Sequence, residues 1–253
     1  LADDASRQAL SQQLVWTLKQ LPDVQAVNLT AAGQPLFVPG VANPQSRDAW
    51  PSVDPSGLDA DAAAYVASTI GVRQLVEGGT RPVDGQAGTR DPLLANIAIA
   101  ELGARIAGID VEGQTWSGAL VPEASLFSLP AVKEPVGLAF DGVDDLWIVD
   151  LSGNLTLYSP TGRSLPIEVG GLASGDVLRA AIPSRDGTRA ALLVESGPRT
   201  DLLLARIVRT SPTGRVGIEV QEPIRVESKL VEVVDVAWSS ADSLAVLGSE
   251  SVG

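Results

Sequence analysis

The stretch LRAAIPSRDGTRAALLV, residues 178–194, places two short apolar runs on either side of a polar turn. Apolar runs of this length around a turn that contains Asp and Gly predict a β-hairpin. The same order of small apolar pair, large apolar residue, polar turn and apolar run recurs three times, in NIAIAELGARIAGID (96–110), GLAFDGVDDLWIVD (137–150) and VDVAWSSADSLAVLG (234–248). The hairpin is therefore a repeated unit of this chain.

The spacing of the repeats indicates how much chain each unit contains. Taking Ile99, Phe140, Ile182 and Trp238 as the equivalent large residue gives two intervals of about 40 residues and one longer interval. Hairpin repeats of this size are typical of β-propeller blades, which contain four antiparallel strands each. The sequence therefore predicts a mainly β chain that includes part of a β-propeller with four-stranded blades.

Individual strands follow from the second and third repeats. Residues 137–158 contain three short apolar stretches separated by turns rich in Gly, Asp and Asn. In the third repeat, residues 202–209 and 215–226 predict a longer outer hairpin, with its turn at 211–214. The fourth repeat begins at Val233, and we expect the remaining blades on further sequence or on a second chain, because an open propeller leaves strand edges unpaired.

The first forty residues have a different pattern. Residues 4–20 predict an amphipathic helix, since four leucines fall on one stripe: Leu10, Leu14, Leu18 and Leu21. Short strands at 24–30 and 35–38 follow. About forty residues of this kind bury too little surface to fold alone, so residues 1–40 are interpreted as the C-terminal helix and hairpin of a small α+β domain.

Residues 41–57 are rich in Pro, Asn, Ser and Asp and predict a stiff, proline-rich linker. Residues 58–253 are assigned to the N-terminal portion of the propeller, truncated within a blade. At its start, residues 64–67 and 71–76 predict one further hairpin, and residues 77–92, rich in Gly, Asp and Pro, predict a loop.

Composition limits the possible chemistry. The chain contains no His and no Cys, which removes Ser-His-Asp and Cys-His catalysis, disulfides and ordinary zinc sites. A net charge of −13 opposes binding to nucleic acid or to an anionic membrane. No uncharged apolar run reaches the length of about 18 residues that a transmembrane helix needs. We therefore predict no catalytic, cofactor-binding or metal-binding residues, and a protein that is not an enzyme.

Some polar clusters allow a chemical or a structural interpretation. Four aspartates lie near Gly142, namely Asp141, Asp144, Asp145 and Asp150. Their spacing departs from that of a calcium-binding EF-hand loop, and turn carboxylates commonly bind backbone amides instead. A glycosidase-type carboxylate pair would need two of Glu134, Asp141 and Asp150 at a distance that sequence does not give. The glycine-rich residues 170–176 lack the ending of a phosphate-binding loop and are interpreted as an inter-blade loop.

Tryptophans are candidates for a binding surface as well as for the core. Trp147 and Trp238 lie in apolar strands and are predicted core residues. Trp50 and Trp116 lie near loops, and we predict them as possible partner-binding residues. Trp50 is also expected to hold the linker against a neighbouring surface.

The order of these parts resembles a known family. QQLVWTLKQLPDVQAVNLT (12–30) is similar to the end of a GerMN domain, and SRDGTRAALLV (184–194) is similar to the propeller of LpqB-type lipoproteins of actinobacteria. DAWPSVDP (48–55) lies where that family has its linker. The resemblance implies an extracytoplasmic protein whose parent is anchored to the cell membrane by an N-terminal lipidated cysteine, which this sequence lacks. It also implies an accessory to a two-component sensor histidine kinase, with the kinase's extracytoplasmic domain as partner, and no catalytic residues or cofactors.

Two further functions stay open on the residues alone. One is a propeller hydrolase or lyase that uses carboxylates, and the other is a sensor of glycan or peptidoglycan fragments at the propeller axis. The absence of His and Cys favours the third hypothesis, a non-catalytic protein-interaction scaffold, and the acidic charge favours a partner with a basic patch.

Overall fold

The computed structural model describes residues 3–19, 21, 23–46, 49–50, 53, 63–100, 103–129, 132–210, 217–240 and 243–250. These residues contain one α-helix and otherwise mainly β-strands, which confirms the predicted fold class. The chain divides into two compact units, Leu1–Gly57 and Leu58–Gly253. Among the described residues, no helix has the length and apolar character needed to cross a membrane.

The first unit combines one helix with two pairs of very short strands. They are α1 (Asp4–Leu18), β1 (Ala26–Val27) paired with β4 (Gln45–Ser46), and β2 (Thr30–Ala31) paired with β3 (Gln34–Pro35). Asp3 caps the helix, because its Oδ1 accepts a hydrogen bond of 2.7 Å from the Ser6 backbone N–H. Strand β4 lies within the predicted linker residues 41–57. The assignment of residues 1–40 to a GerMN-like domain stays a prediction.

The buried face of α1 includes part of the predicted leucine stripe, since Leu14 and Leu18 pack half-buried against a core that contains Val15. Its fully buried residues are Ser11 and Val15, while Leu21 lies beyond the helix and is 53% exposed. The Ser11 hydroxyl donates to Gln45 Oε1 at 2.5 Å and accepts a bond of 2.9 Å from Trp50 Nε1. The helix therefore combines apolar packing with a polar contact at Ser11, and a pattern of apolar residues cannot detect the polar contact.

The second unit is a series of sheets in which consecutive strands pair antiparallel. The first is a three-stranded sheet of β5 (Tyr65–Ser68), β6 (Gly71–Val76) and β7 (Gly79–Pro82). Blade 1 consists of β8 (Leu94–Ile99), β9 (Arg105–Asp110), β10 (Thr115–Ala119) and β11 (Phe127–Ser128). Blade 2 consists of β12 (Pro135–Phe140), β13 (Leu146–Asp150), β14 (Leu155–Tyr158) and β15 (Ser164–Val169). Blade 3 consists of β16 (Val177–Pro183), β17 (Arg189–Ser196), β18 (Arg199–Thr210) and β19 (Gly217–Arg225). A last hairpin, β20 (Leu230–Trp238) and β21 (Leu244–Glu250), forms a separate two-stranded sheet.

The predicted hairpin repeats are confirmed. Within residues 178–194, β16 and β17 pair through Ala181↔Leu192 and Pro183↔Ala190. The predicted outer hairpin of the third repeat is β18 and β19, although its turn at 211–214 lies outside the described residues. Blade 1 is a four-stranded sheet, and blades 2 and 3 are four-stranded groups with the same order of consecutive antiparallel strands, which confirms four-stranded blades.

Two features of the sheets were not predicted. Residues 77–92, predicted as a loop, contain β7 and a 3-10 turn over Gln86–Gly88, so that prediction was wrong. All four residues of β7 are exposed, and the strand therefore lacks the apolar alternation by which strands are recognised. In addition, the outer strands of blades 2 and 3 pair in parallel through Val169↔Val220, which joins the two blades into one eight-stranded sheet.

The blades stack with apolar side chains on both faces of the central strands. In β13, Leu146 and Ile148 pack against blade 1, whereas Trp147 and Val149 pack against blade 3. A strand that is buried on both faces has a continuous apolar sequence instead of an alternating one. Trp147 is 1% exposed, which confirms its prediction as a core residue.

We expect Leu192→Ala to destabilise the second unit by about 2–5 kcal/mol, because Leu192 is fully buried between blades 2 and 3 and its truncation leaves a cavity. Urea unfolding followed by tryptophan fluorescence measures the change. Leu75→Ala is the matched control, since Leu75 is 48% exposed and its truncation should cost less than about 0.5 kcal/mol. Equal costs for the two variants would contradict the packing described above.

Candidate functional site

The turn between β12 and β13 is organised by the carboxylate of Asp141, a residue that is only 2% exposed. Its Oδ1 accepts hydrogen bonds of 3.0 Å from the backbone N–H groups of Val143 and Asp145. Its Oδ2 accepts a bond of 3.2 Å from Trp147 Nε1. One carboxylate thus fixes both the turn and the orientation of the core tryptophan.

Arginines from the neighbouring blades reach the same turn. Arg209 of β18 places its Nη2 3.0 Å from Asp141 Oδ2, and its Nη1 donates to the Gly187 carbonyl. Arg105, at the start of β9, donates to the Asp144 carbonyl at 2.9 Å. The turn of blade 2 is therefore linked to blades 1 and 3, and we call this end of the blades the Asp141 face.

The hairpin of β16 and β17 contributes its turn to the Asp141 face. Asp186 accepts hydrogen bonds from the Ser184 hydroxyl at 2.5 Å and from the Thr188 backbone N–H at 3.0 Å. Burial raises the pKa of Asp186, but the hydrogen bonds from Ser184 and Thr188 and the charge of Arg189 outweigh it and lower the pKa to about 2. The carboxylate is bound within its own turn, as a structural role requires.

The four aspartates near Gly142 do not form one cluster. Asp150 lies at the opposite end of β13 from Asp141 and accepts bonds from the Asn154 backbone N–H at 2.9 Å and from Asn154 Nδ2 at 2.8 Å. This confirms Asp141 and Asp150 as turn residues, and it places these two members of the hypothetical carboxylate pair at different ends of a strand. Among the described residues, no group of three or more His, Cys, Asp or Glu side chains is suited to a metal ion.

Asp145, in the same turn as Asp141, carries a carboxyl group whose pKa is shifted by its surroundings. Partial burial and the neighbouring charge of Asp141 raise the pKa of Asp145 to about 6, although Arg209 and Arg105 act in the opposite direction. A carboxyl group with this pKa changes its charge between mildly acidic and neutral pH.

The opposite end of the blades, which we call the Asp110 face, contains a turn with the same hydrogen-bonding pattern. Asp110 Oδ1 accepts bonds from the backbone N–H groups of Glu112 at 3.0 Å and Gln114 at 2.8 Å, and its Oδ2 accepts a bond of 2.6 Å from Trp116 Nε1. Sequence reasoning missed Asp110. The spacing of an Asp six residues before a Trp, shared with Asp141 and Trp147, is the pattern that identifies it.

Exposed apolar residues follow the turn aspartates of the Asp110 face. Val111, directly after Asp110, is 64% exposed, and Leu151, directly after Asp150, is 48% exposed. Because Arg105 and Asp144 place the starts of β9 and β13 at the same end, the ends of these strands also lie together. Blades 1 and 2 therefore present equivalent apolar side chains on neighbouring turns.

The two tryptophans predicted to bind a partner are half-buried and already hydrogen-bonded. Trp50 donates to Ser11 and to Gln45 Oε1, and its carbonyl accepts a bond of 3.2 Å from Trp16 Nε1. Trp116 lies in β10 and donates to Asp110. Trp50 thus holds its segment against α1 within the first unit, as expected, while partner binding by either residue stays a prediction. Trp238, the other predicted core residue, is half-buried against blade 3 and donates to the Ile182 carbonyl at 3.0 Å.

The glycine-rich residues 170–176 connect β15 to β16 and thus blade 2 to blade 3. The Gly170 backbone N–H donates to the Val220 carbonyl at 2.9 Å. The Asp176 carboxylate accepts bonds from the Ala173 backbone N–H at 3.0 Å and from the Ser196 hydroxyl at 2.6 Å. The interpretation as an inter-blade loop is confirmed.

Comparison with known proteins gives the family. The model of the lipoprotein LpqB β-propeller domain, Gmad1, matches residues 71–253. The chain belongs to the LpqB β-propeller family. Lipoprotein LpqB of Thermobifida fusca is 28% identical over 100% of this chain and 47% of its own length, and LpqB of Streptomyces avermitilis is 30% identical over 68% of this chain and 30% of its own length. The chain therefore spans about half or less of the relatives it matches.

A solved structure supports the fold alone. A TolB-like protein from Agrobacterium tumefaciens matches 74% of this chain and 66% of its own chain, with a TM-score of 0.53 and 12% sequence identity. The resemblance to LpqB-type lipoproteins that the sequence suggested is confirmed by the family match.

In this LpqB-family chain, we expect Asp141→Asn to lower the free energy of unfolding by about 3 kcal/mol. Only one of the two terminal atoms of the Asn side chain accepts hydrogen bonds, and the neutral amide leaves Arg209 without its ion pair. Asp144→Asn is the isosteric control. No hydrogen bond to the Asp144 side chain is present in the described part of the chain, so its cost should stay below about 0.5 kcal/mol. Chemical unfolding measures both, and a cost at position 141 no larger than at position 144 would refute the assigned role.

Asp145→Asn should stabilise the chain at pH 7 by about 1 kcal/mol, because the charge that it removes is half-buried and only partly screened by solvent. The pKa of Asp145 is higher in the folded chain than in the unfolded chain, so the folded chain binds this proton more tightly. The protonated carboxyl therefore contributes stability below about pH 4, and this contribution is lost as the pH rises through about 6. The difference between variant and wild type should therefore vanish near pH 4. Thermal unfolding from pH 4 to 7 tests this, and a constant difference over that range would contradict it.

Proposed function

We propose that this chain is part of a non-catalytic, extracytoplasmic lipoprotein that acts as a protein-interaction scaffold. Its partner in this proposal is the extracytoplasmic domain of a two-component sensor histidine kinase, whose signalling it modulates. The observation that carries the proposal is the LpqB family match over residues 71–253, together with relatives that are named lipoproteins. A lipid on the parent protein would hold it at the cell membrane.

We also propose that further sequence of the parent protein supplies the remaining blades. The relatives are about twice as long as the matched region or longer. The last hairpin buries Val233 and Val236 against blade 3, whereas Val234 and Leu247 are 60% and 63% exposed. Blades 2 and 3 have inner strands with apolar side chains buried on both faces. The last hairpin is covered by blade 3 on one face, so another blade fits on its other face, where apolar side chains are exposed.

The Asp110 face is the surface that best fits a protein partner. Val111 and Leu151 project from turns held by internally bonded aspartates, so little conformational entropy is lost when a partner covers them. Apolar residues on rigid supports are typical anchors of protein interfaces. We propose these two side chains as contact residues in addition to Trp50 and Trp116, which the sequence predicts.

The double variant Val111→Ser/Leu151→Ser should weaken binding to the purified extracytoplasmic domain of a sensor kinase from the same organism by about tenfold or more. Biolayer interferometry measures the affinity. Val143→Ser is the matched control, because Val143 is 67% exposed but lies in the turn of the Asp141 face. The association rate should also fall with added salt if the contacted surface of the kinase domain is basic, because salt screens its attraction to a chain with a charge of −13.

Two results would count against this proposal. The first is the absence of saturable binding to the kinase domain by the wild-type chain. The second is an equal effect of the double variant and of Val143→Ser, which would remove the Asp110 face as the contact surface.

A further inference from the structure

A polar cleft lies between the three-stranded sheet and blade 1, away from the Asp110 face. It has a volume of about 350 Å³ and is lined by residues of β5, β6 and β7, by the loop after β7 and by blade 1: Tyr65, Gln74, Arg81, Pro82, Val83, Asp84, Gly103 and Leu120. A volume of this size falls at the lower end of the range of small-molecule sites.

Three polar side chains form a continuous row in this cleft. Tyr65 pairs with Gln74 across β5 and β6, and Gln74 pairs with Arg81 across β6 and β7. Directly opposed residues of antiparallel strands project to the same face of the sheet, so a phenol, an amide and a guanidinium stand side by side.

The row lies on the face by which the sheet packs against blade 1. Val72 belongs to that face, because it pairs with Ala67 two residues along from the Tyr65 pair, and it is completely buried in the core shared with Leu94 and Ile106. Apolar residues are expected to continue along such a packing face. The change from apolar to polar side chains at its end is therefore a specific feature of this sheet.

The polar groups of the cleft are only partly used within the protein. Arg81 Nε donates to Gln74 Oε1 at 2.8 Å, which orients the guanidinium. In residues 63–100 and 103–129 and the other described parts of the chain, no further hydrogen bond or ion pair engages Arg81, the Tyr65 hydroxyl or the Asp84 carboxylate. The Nη groups of Arg81, the Tyr65 hydroxyl and the Asp84 carboxylate thus remain available to a ligand.

The wall that carries Asp84 is held rigidly. Gly85 has φ +72°, and a side chain there would lie 2.8 Å from the Ala124 carbonyl, so the loop lies directly on blade 1. The Gln86 backbone N–H donates to the Ala124 carbonyl at 2.8 Å, and the Gln86 side chain accepts a bond of 2.8 Å from the Leu126 N–H. The cleft is therefore formed before any ligand arrives, which lowers the entropic cost of binding.

We propose that this cleft binds a small molecule that carries a carboxylate next to an N–H or O–H donor. The Arg81 guanidinium and the Tyr65 hydroxyl bind the carboxylate, and the Asp84 carboxylate accepts the neighbouring donor. Leu120 and Pro82 contact the carbon atoms between them. This function is separate from the proposed binding of a kinase domain and adds a ligand-sensing role to the scaffold.

Free amino acids and sugar acids both have this chemistry, and binding experiments distinguish them. The probes are L-alanine and glucuronate. Each is compared with a counterpart that has a neutral group in place of the carboxylate, namely L-alaninamide and glucose. Protein-observed NMR titration of the whole chain detects weak binding and reports whether it saturates. We expect saturation with at least one carboxylate and binding at least tenfold weaker with its counterpart.

Arg81→Gln should lower the affinity for the carboxylate ligand by about tenfold, since a charge-assisted hydrogen bond is lost. Arg163→Gln is the matched control, because Arg163 is exposed at the turn after β14 and its substitution changes the net charge equally. Tyr65→Phe removes only the hydroxyl and should weaken binding by a smaller factor. Thermal unfolding of each variant verifies that the fold is retained.

Three outcomes would overturn the assignment of this cleft. They are no saturable binding of either carboxylate, equal binding of a carboxylate and its counterpart, and equal affinities of Arg81→Gln and Arg163→Gln. Because the Val111→Ser/Leu151→Ser variant leaves the cleft unchanged, it should bind the carboxylate like wild type. Failure of the cleft and failure of the kinase interaction are thus distinguished.

Discussion

The buried carboxylate of Asp141 is the contact on which the arrangement of the blades depends. A charge in the interior is tolerated only when it is fully paired and hydrogen-bonded. Asp141 meets this condition with two backbone N–H groups of its own turn, the indole of Trp147 and the guanidinium of Arg209. These donors come from the turn, from the core of blade 2 and from blade 3, so the turn, the tryptophan and the neighbouring blade are fixed together.

The stacking of the blades explains which residues carry apolar and which carry polar side chains. Strand β13 is buried on both faces, and polar groups are therefore restricted to the turns at its two ends. Asp141 and Asp150 occupy these ends, and in both turns the carboxylate accepts backbone or side-chain donors within four or six residues. The two faces of the structure are consequently built from similar turns, and they differ in the side chains exposed at the tips, such as Leu151.

Local patterns in the sequence predicted much of this fold. The hairpin at 178–194 combines a Gly187 with φ +65° and an Asp186 that caps its own turn, both of which are properties of neighbouring residues. Strand β7 has no apolar alternation, and its pairing depends on β6. The pairing of Val169 with Val220 and the contact of Arg209 with Asp141 join residues far apart in the chain, for which a single sequence contains no local pattern. The same applies to the row formed by Tyr65, Gln74 and Arg81, since it exists only once the strand register is known.

The distribution of positive charge separates the cleft from the rest of the surface. In a chain of net charge −13, many arginines are bonded to acidic side chains or carbonyl groups: Arg7, Arg105, Arg179, Arg189, Arg206, Arg209 and Arg225. These contacts occupy the guanidinium groups within the fold and contribute little to the recognition of an anion. Arg81 differs, because its neighbour Gln74 orients the guanidinium without cancelling its charge. Because Gln74 holds the charged guanidinium of Arg81 beside a preformed cavity, the cleft favours binding of a carboxylate from outside the protein. The exposed apolar side chains of Val111 and Leu151 instead favour binding of a protein surface.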